Sequence, residues 1–398
     1  MKFDHSFPFE LAEEDKLVKR LNRNPYYQKI DSGAELYARI NGENYLNLAS
    51  NNYLTLANHP EVIAAMKDAL DKYGASMCGT PVACGKVDVY QHATDYIARF
   101  LGLEDAILYP SCYQANVSAI RALVKPEDVV FVDRNAHSSL IEGIKASGCK
   151  IKPFRHNDPG HLAELIGKTE GFRNRFVATE SVFSTEGSIA PFDEIYRIAL
   201  ENEVIPIIDD SHGIGVIGQT GKGILEEKQI VSYAGIYTAS TGKALGISGG
   251  FVCSSKVIIE FLRYASQGLL YSTALPPTLI AGTIKALEIV ENNGAEMVRA
   301  LSENKKYLWE CLNKNGFKVL PGEAKICSLF GGSNERTFRI HMALFAAKIL
   351  TTPFVYPSVG KNKGVIRMIP RLDLTKEQME TVIETFIKTR EQQPELFD

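Results

Sequence analysis

Between residues 100 and 260, two apolar patterns alternate along the chain. Short runs rich in β-branched residues, at 106–109, 129–132, 150–154, 176–179, 204–209, 234–238 and 250–253, predict strands. Most stretches between them, such as 116–123 and 192–202, carry apolar residues at the spacing of a helix face. Alternation of this kind predicts a mostly parallel sheet covered by helices on both faces. Such sheets hold their sites at the carboxyl ends of the strands.

The two chain ends are patterned differently. Residues 1–60 give a polar helix and then a small hairpin over 37–46, turning at Asn41-Gly42. After about residue 285 come a long helix over 295–315, short strands, and a last helix over 376–393. The predicted architecture is an α/β fold in which 61–290 form a large domain. The N-terminal segment 1–60 joins a smaller α+β domain built from 291–398. With 398 residues, 45% of them hydrophobic, the chain can bury the cores of two domains. The net charge is -3 and no block of like charge occurs, so neither nucleic acid nor a membrane is an expected partner. No apolar stretch is long enough to span a bilayer, and MKFDHSFPFELAEEDK lacks the apolar run of a signal peptide. Seven scattered cysteines, never spaced C-x-x-C, fit reduced thiols in a cytoplasmic protein better than disulfides or zinc.

Two segments carry candidate chemistry. One apolar strand ends in Ile207-Ile208-Asp209-Asp210-Ser211-His212-Gly213. These carboxylates and the imidazole can be metal ligands. They can equally form a cofactor site in which a buried Asp keeps a heterocyclic nitrogen protonated. The third reading is a capped turn, with Asp210 or Ser211 satisfying backbone donors. Further on, Thr238-Ala239-Ser240-Thr241-Gly242-Lys243-Ala244-Leu245-Gly246 places a lysine after a strand, among hydroxyls and glycines. Hydroxyls suit phosphate oxygens, and glycines permit close backbone approach. A partly desolvated lysine has a lowered pKa and can form a Schiff base. A nucleotide P-loop does not fit, because Tyr237 stands five positions before Gly242 and Ala244 follows Lys243. Around Gly221-Lys222 the corresponding residues are Val216 and Gly223, which fail equally.

The two segments together are more specific than either. Asp209-x-x-His212 at one strand end, then Ser240-Thr241-Gly242-Lys243 after the next strand, is the motif order of type I pyridoxal-phosphate (PLP) enzymes. Over almost its whole length the chain resembles the α-oxoamine synthase family. The resemblance rests on six stretches in order: 49–54 (ASNNYL), 133–139 (DRNAHSS), 179–184 (TESVFS), 209–216 (DDSHGIGV), 241–246 (TGKALG) and 271–277 (YSTALPP). It implies the type I PLP-dependent transferase fold and pyridoxal 5'-phosphate as cofactor. The implied reaction is a decarboxylative Claisen condensation of a small α-amino acid with an acyl-CoA, giving an α-aminoketone, CoA and CO2.

Site roles follow from the resemblance residue by residue. Lys243 would hold the cofactor as a Schiff base and later move the Cα proton. Asp209 would pair with the pyridine nitrogen, making the ring a better electron sink. His212 would bond the ring's phenolic oxygen or the substrate carbonyl, and His137 would stack on the ring. Ser184 would sit near the phenolic oxygen, with Glu180 behind. Backbone donors at a helix start in Ser111-Cys112-Tyr113 would bind the phosphate, helped by Ser240 and Thr241. Thr273 would reach the phosphate of the other subunit, which implies a homodimer with shared sites. Asn51 would line the substrate pocket, and Arg367 would fork onto the amino-acid carboxylate. Tyr356, Lys361 and Lys363 are weaker candidates: the lysines could meet CoA phosphates, although a solvated loop explains them as well.

The chain departs from the family pattern at Cys112, often Gly, in the segment 78–85, at Tyr90 and Thr94, and around Arg367. These departures are expected where the substrates lie. Two other readings are weighed. An aminotransferase or amino-acid lyase of the same fold would keep PLP but release no CoA. A metal-dependent hydrolase would use Asp209, Asp210 and His212.

Overall fold

In the computed structural model the described residues are 13–21, 24 and 26–397. The N-terminal helix, Glu13–Leu21, leads to a hairpin of β1 (Tyr37–Ile40) and β2 (Glu43–Asn47). It turns at Asn41-Gly42, both at positive φ, as the Asn-Gly pair predicts. The large unit contains β3 (Asp105–Tyr109), β4 (Val129–Asp133), β5 (Lys150–Phe154), β6 (Arg175–Glu180), β7 (Ile205–Asp209), β8 (Ile236–Ser240) and β9 (Gly250–Ser254). They form one sheet in the order β3-β9-β8-β7-β6-β4-β5. Only β9 runs against the rest.

Alternate residues of the strands feed different cores. Ala106, Leu108, Val129 and Phe131 join one cluster, with the helices Asp88–Leu101 and Pro277–Lys314. Ile107, Tyr109, Val130 and Val132 join another, with the helices Cys112–Leu123 and Ser138–Ser147. The sheet is thus covered on both faces, which explains the unbroken apolar strand runs.

A third cluster draws on both chain ends. Leu46 and Leu48 pack there with Leu308, Leu312, Ile366, Val382 and Phe386. It is associated with two three-stranded sheets. One joins β1 and β2 to β11 (Ile349–Leu350); the other has the order β10-β13-β12, from Cys327–Gly332, Gly364–Met368 and Thr352–Phe354. One expectation is corrected. The helix expected at 295–315 spans Pro277–Lys314, so the position chosen for a domain boundary lies within a continuous helix. Asn292-Asn293-Gly294 looks like a stop, but a Cβ at Gly294 would sit 2.0 Å from the Thr220 carbonyl oxygen. That glycine serves close packing, not termination. No helix among the described residues is long and apolar enough to cross a membrane.

Candidate active site

The parallel strands deliver the site at their carboxyl ends. In register, Glu180 of β6 faces Asp209 of β7, and Asp209 faces Thr238 of β8, two residues before Ser240. The helix Cys112–Leu123 points its N-terminus at them. Ser111 caps it, its Oγ accepting from the Gln114 N–H at 3.1 Å. The N–H groups of Cys112 and Tyr113 have no acceptor among the described residues, which leaves them for an anion. β9 passes close behind: a Cβ at Gly250 would stand 2.4 Å from the Cys112 nitrogen.

A cavity of about 340 Å³ opens between these elements. Ser111, Cys112, Tyr113, His137, Glu180, Asp209, Ser240 and Lys243 all line it, although they span more than 130 residues of sequence. The structure also brings Asn116, Ser139, Ser211 and Gly249 to its wall. Asp209 is held by Asn116 Nδ2, which donates to Oδ2 at 2.7 Å, and by the Ser211 N–H, which donates to Oδ1 at 3.0 Å. Asn116 Nδ2 also donates to Ser139 Oγ at 2.9 Å, and Ser139 Oγ lies 2.8 Å from His137 Nδ1. The Ser139 N–H donates to that same Nδ1, which makes it an acceptor and puts the ring proton on Nε2. A polar chain thus joins Asp209 to His137, and sequence reasoning missed its middle members. Cys112 Sγ accepts from Ser211 Oγ at 3.2 Å, and burial pushes its thiol pKa up.

Lys243 sits half-buried in the turn between β8 and β9. The Gly246 N–H bonds its carbonyl at 3.0 Å, and Gly246 adopts φ of 73° where a Cβ would strike the Ala57 nitrogen. Burial lowers the Lys243 pKa against the opposing charges of Asp209, Cys112 and Glu180. Burial, aided by Asp209, holds Glu180 well above the usual carboxylate range. His137 is exposed at the cavity wall, yet partial desolvation still lowers its pKa.

The remaining candidates surround this centre. His212 is buried behind it, with Nδ1 2.9 Å from the Tyr53 hydroxyl. Burial and then Lys243 and Arg367 hold its pKa well below the ordinary value. Arg367, on the central strand β13, is buried; Nη1 donates to the Ser184 carbonyl at 3.0 Å, and the guanidinium lies 4.7 Å over Phe354. Among the described residues its Nε has no partner, nor do the buried Asn51 Oδ1 and Thr241 Oγ1. Thr273 is exposed and does not line the cavity.

Asp210 turns away from the cavity. Its Oδ2 accepts from the Tyr237 hydroxyl at 2.6 Å and the Ile224 N–H at 2.9 Å, and burial pushes its pKa up to about 7. With Asp209 and His212 also partnered, the three do not converge on one point, and no cluster of three metal-ligating side chains occurs among the described residues. Two departures from the family pattern also lie elsewhere than expected. Tyr90 lines a separate cavity and accepts from the Leu108 N–H at 3.2 Å, while Thr94 is buried in its helix. Lys361 and Lys363 are exposed, with Lys361 Nζ 5.6 Å over the Tyr356 ring.

The donor set fits pyridoxal phosphate. An aldehyde needs an amine that deprotonates readily, as at Lys243. A phosphate needs unpaired donors, present as two helix N–H groups and the orphaned Thr241 hydroxyl. A pyridine nitrogen needs a fixed carboxylate, present as Asp209.

Comparison with known proteins agrees. The family model for class I and II aminotransferases matches residues 43–386. The chain is 34% identical to 2-amino-3-ketobutyrate coenzyme A ligase of Escherichia coli K12, over 88% of this chain and 89% of that protein. It is 31% identical to 8-amino-7-oxononanoate synthase of Thermoanaerobacter pseudethanolicus, over 94% and 96%. Serine palmitoyltransferase of Sphingomonas wittichii has the same fold, with a TM-score of 0.91 at 24% identity over 97% of this chain and 99% of that one. The chain therefore belongs to the class I and II aminotransferase family and, within it, to the pyridoxal-phosphate-dependent α-oxoamine synthases, enzymes that transfer acyl groups.

Proposed function

We propose that the protein joins the Cα of a small α-amino acid to the acyl group of an acyl-CoA, releasing CoA and CO2 and yielding an α-aminoketone. The observation that carries this reading is one cavity holding Lys243, Asp209 and His137, with buried Arg367 and His212 beside it. When bound, pyridoxal phosphate supplies the electron sink that makes a Cα–H bond acidic. The chain's own residues do the rest. Lys243 would hold the cofactor and then, displaced by the amino acid, take the Cα proton. Asp209 would hold the ring nitrogen protonated, fixed by Asn116 and Ser211. His137 would cover one ring face. Ser111, Cys112, Tyr113, Ser240 and Thr241 would receive the phosphate, while Glu180 backs the site. Arg367, whose Nε has no partner among the described residues and whose Nη1 holds the Ser184 carbonyl, would take the substrate carboxylate, and Asn51 would line the substrate pocket. The Cα would then attack the thioester carbonyl, whose oxygen His212 would polarise. The C–S bond breaks and CoA leaves, taking a proton to become the thiol. The resulting β-keto acid loses CO2, with a proton replacing the carboxylate on Cα.

Thr273 sits outside its own chain's cavity, which supports a homodimer in which it serves the neighbouring site. Seven free cysteines support a cytoplasmic location. The same residues could serve an aminotransferase or a lyase, and thiol release separates the readings. Amino acids and acyl-CoA chain lengths are assayed in combination for free CoA. Release that requires both substrates, and is lost in Lys243→Ala, is expected. Amino-acid turnover with no thiol would sink the condensation.

A further inference from the structure

Tyr53 is fully buried, and its hydroxyl makes one hydrogen bond among the described residues, to His212 Nδ1 at 2.9 Å. The rings meet edge to face at 6.2 Å. One bond can be made in two directions. If His212 Nδ1 donated, the phenolic proton would be buried with no acceptor, a costly arrangement. If the phenol donates, its buried proton is used, and the imidazole carries its own on Nε2, which is not one of the fully buried polar atoms left without a partner. Nε2 has no partner among the described residues. The surroundings also oppose a second proton: burial disfavours the charged ring, and Lys243, Arg367 and His137 add to it.

We propose that Tyr53 is a positioning residue that fixes His212 as the neutral Nε2–H tautomer, making His212 a hydrogen-bond donor to a reacting oxygen and not a proton carrier. The idea rests on the reading that His212 serves the condensation. It assigns a purpose to a pair 159 residues apart in sequence. Tyr53 acts only through His212, so its effect must vanish when His212 is gone.

The test begins with the wild-type holoenzyme, labelled with ¹⁵N-histidine, so that nothing depends on a variant folding. The His212 signals should show Nδ1 bare and Nε2 protonated from pH 6 to 9. A titrating His212, or a proton on Nδ1, would overturn the proposal. A double-mutant cycle follows, with Tyr53→Phe, His212→Ala and the pair. Tyr53→Phe should lower kcat about tenfold to a hundredfold, with little change in KM for the amino acid. In the His212→Ala background the same change should cost nothing further. Multiplying losses would mean that Tyr53 acts independently, contrary to the proposal. Failure of the condensation reading itself would appear separately, as absent thiol release in the wild type.

Discussion

At the scale of single residues, the site is a set of buried polar groups whose partners are mostly other members of the set. Asn116 shows this best, serving Asp209 and Ser139 with one amide nitrogen. Arg367 is one exception, with a buried Nε that has no partner among the described residues, as Thr241 Oγ1 and Asn51 Oδ1 have none. If that donor awaits a carboxylate, Arg367→Ala should raise KM for the amino acid about 10–100-fold, the worth of a charged hydrogen bond. Steady-state kinetics with the amino acid varied at saturating acyl-CoA would show it, and an unchanged KM would remove Arg367 from the substrate site. Legibility differs among these residues for a physical reason. Lys243, Asp209 and His212 stand in short segments whose small or polar neighbours already suggest unusual chemistry. Asn116 lies inside a helix among alanines, and Tyr53 reaches His212 only through the fold, so neither had a local signal.

At the scale of elements, function depends on close approach at strand ends. β9 crosses the start of the helix Cys112–Leu123 so tightly that any side chain at Gly250 would strike the Cys112 nitrogen. That nitrogen belongs to the turn assigned to the phosphate. Gly250→Ala should therefore destabilise by about 1–3 kcal/mol, as overpacking does, and also weaken pyridoxal-phosphate affinity. Calorimetric melts and cofactor titration read the two effects, and an unaffected cofactor affinity would detach the strand from the phosphate turn. The central strands were legible because burial on both faces demands unbroken apolar runs. The helix Pro277–Lys314 runs straight through Gly294, whose missing side chain lets it lie against Thr220.

For the molecule as a whole, the two sheets of the site must stay in register. Ser184 contacts Arg367, and the Thr185 carbonyl accepts from Ser328 Oγ at 2.5 Å, so this loop bridges β6 to β10 and β13. His156 helps pin the loop, with Nδ1 3.0 Å from Asp133 and Nε2 3.3 Å from Glu186. Burial disfavours its charge, but Asp133 and Glu186 outweigh that and raise its pKa from 6.5 to about 9. The folded chain therefore holds this proton more tightly than the unfolded one. The contribution is fully present below pH 6.5, declines above it, and is lost as pH passes about 9. It amounts to at most about 3 kcal/mol. Denaturant melts of wild type and His156→Gln should differ most at pH 6 and converge near pH 10. A gap that widens with pH would contradict the pairing. This cluster was invisible in sequence because its members come from three separate segments.

The central claim is that Lys243 carries the cofactor. Borohydride reduction of the holoenzyme, followed by peptide mass mapping, fixes a Schiff-base-linked cofactor to its lysine irreversibly. The pyridoxyl group should be found on the peptide containing Lys243, and its attachment to any other lysine, or to none, would contradict the account.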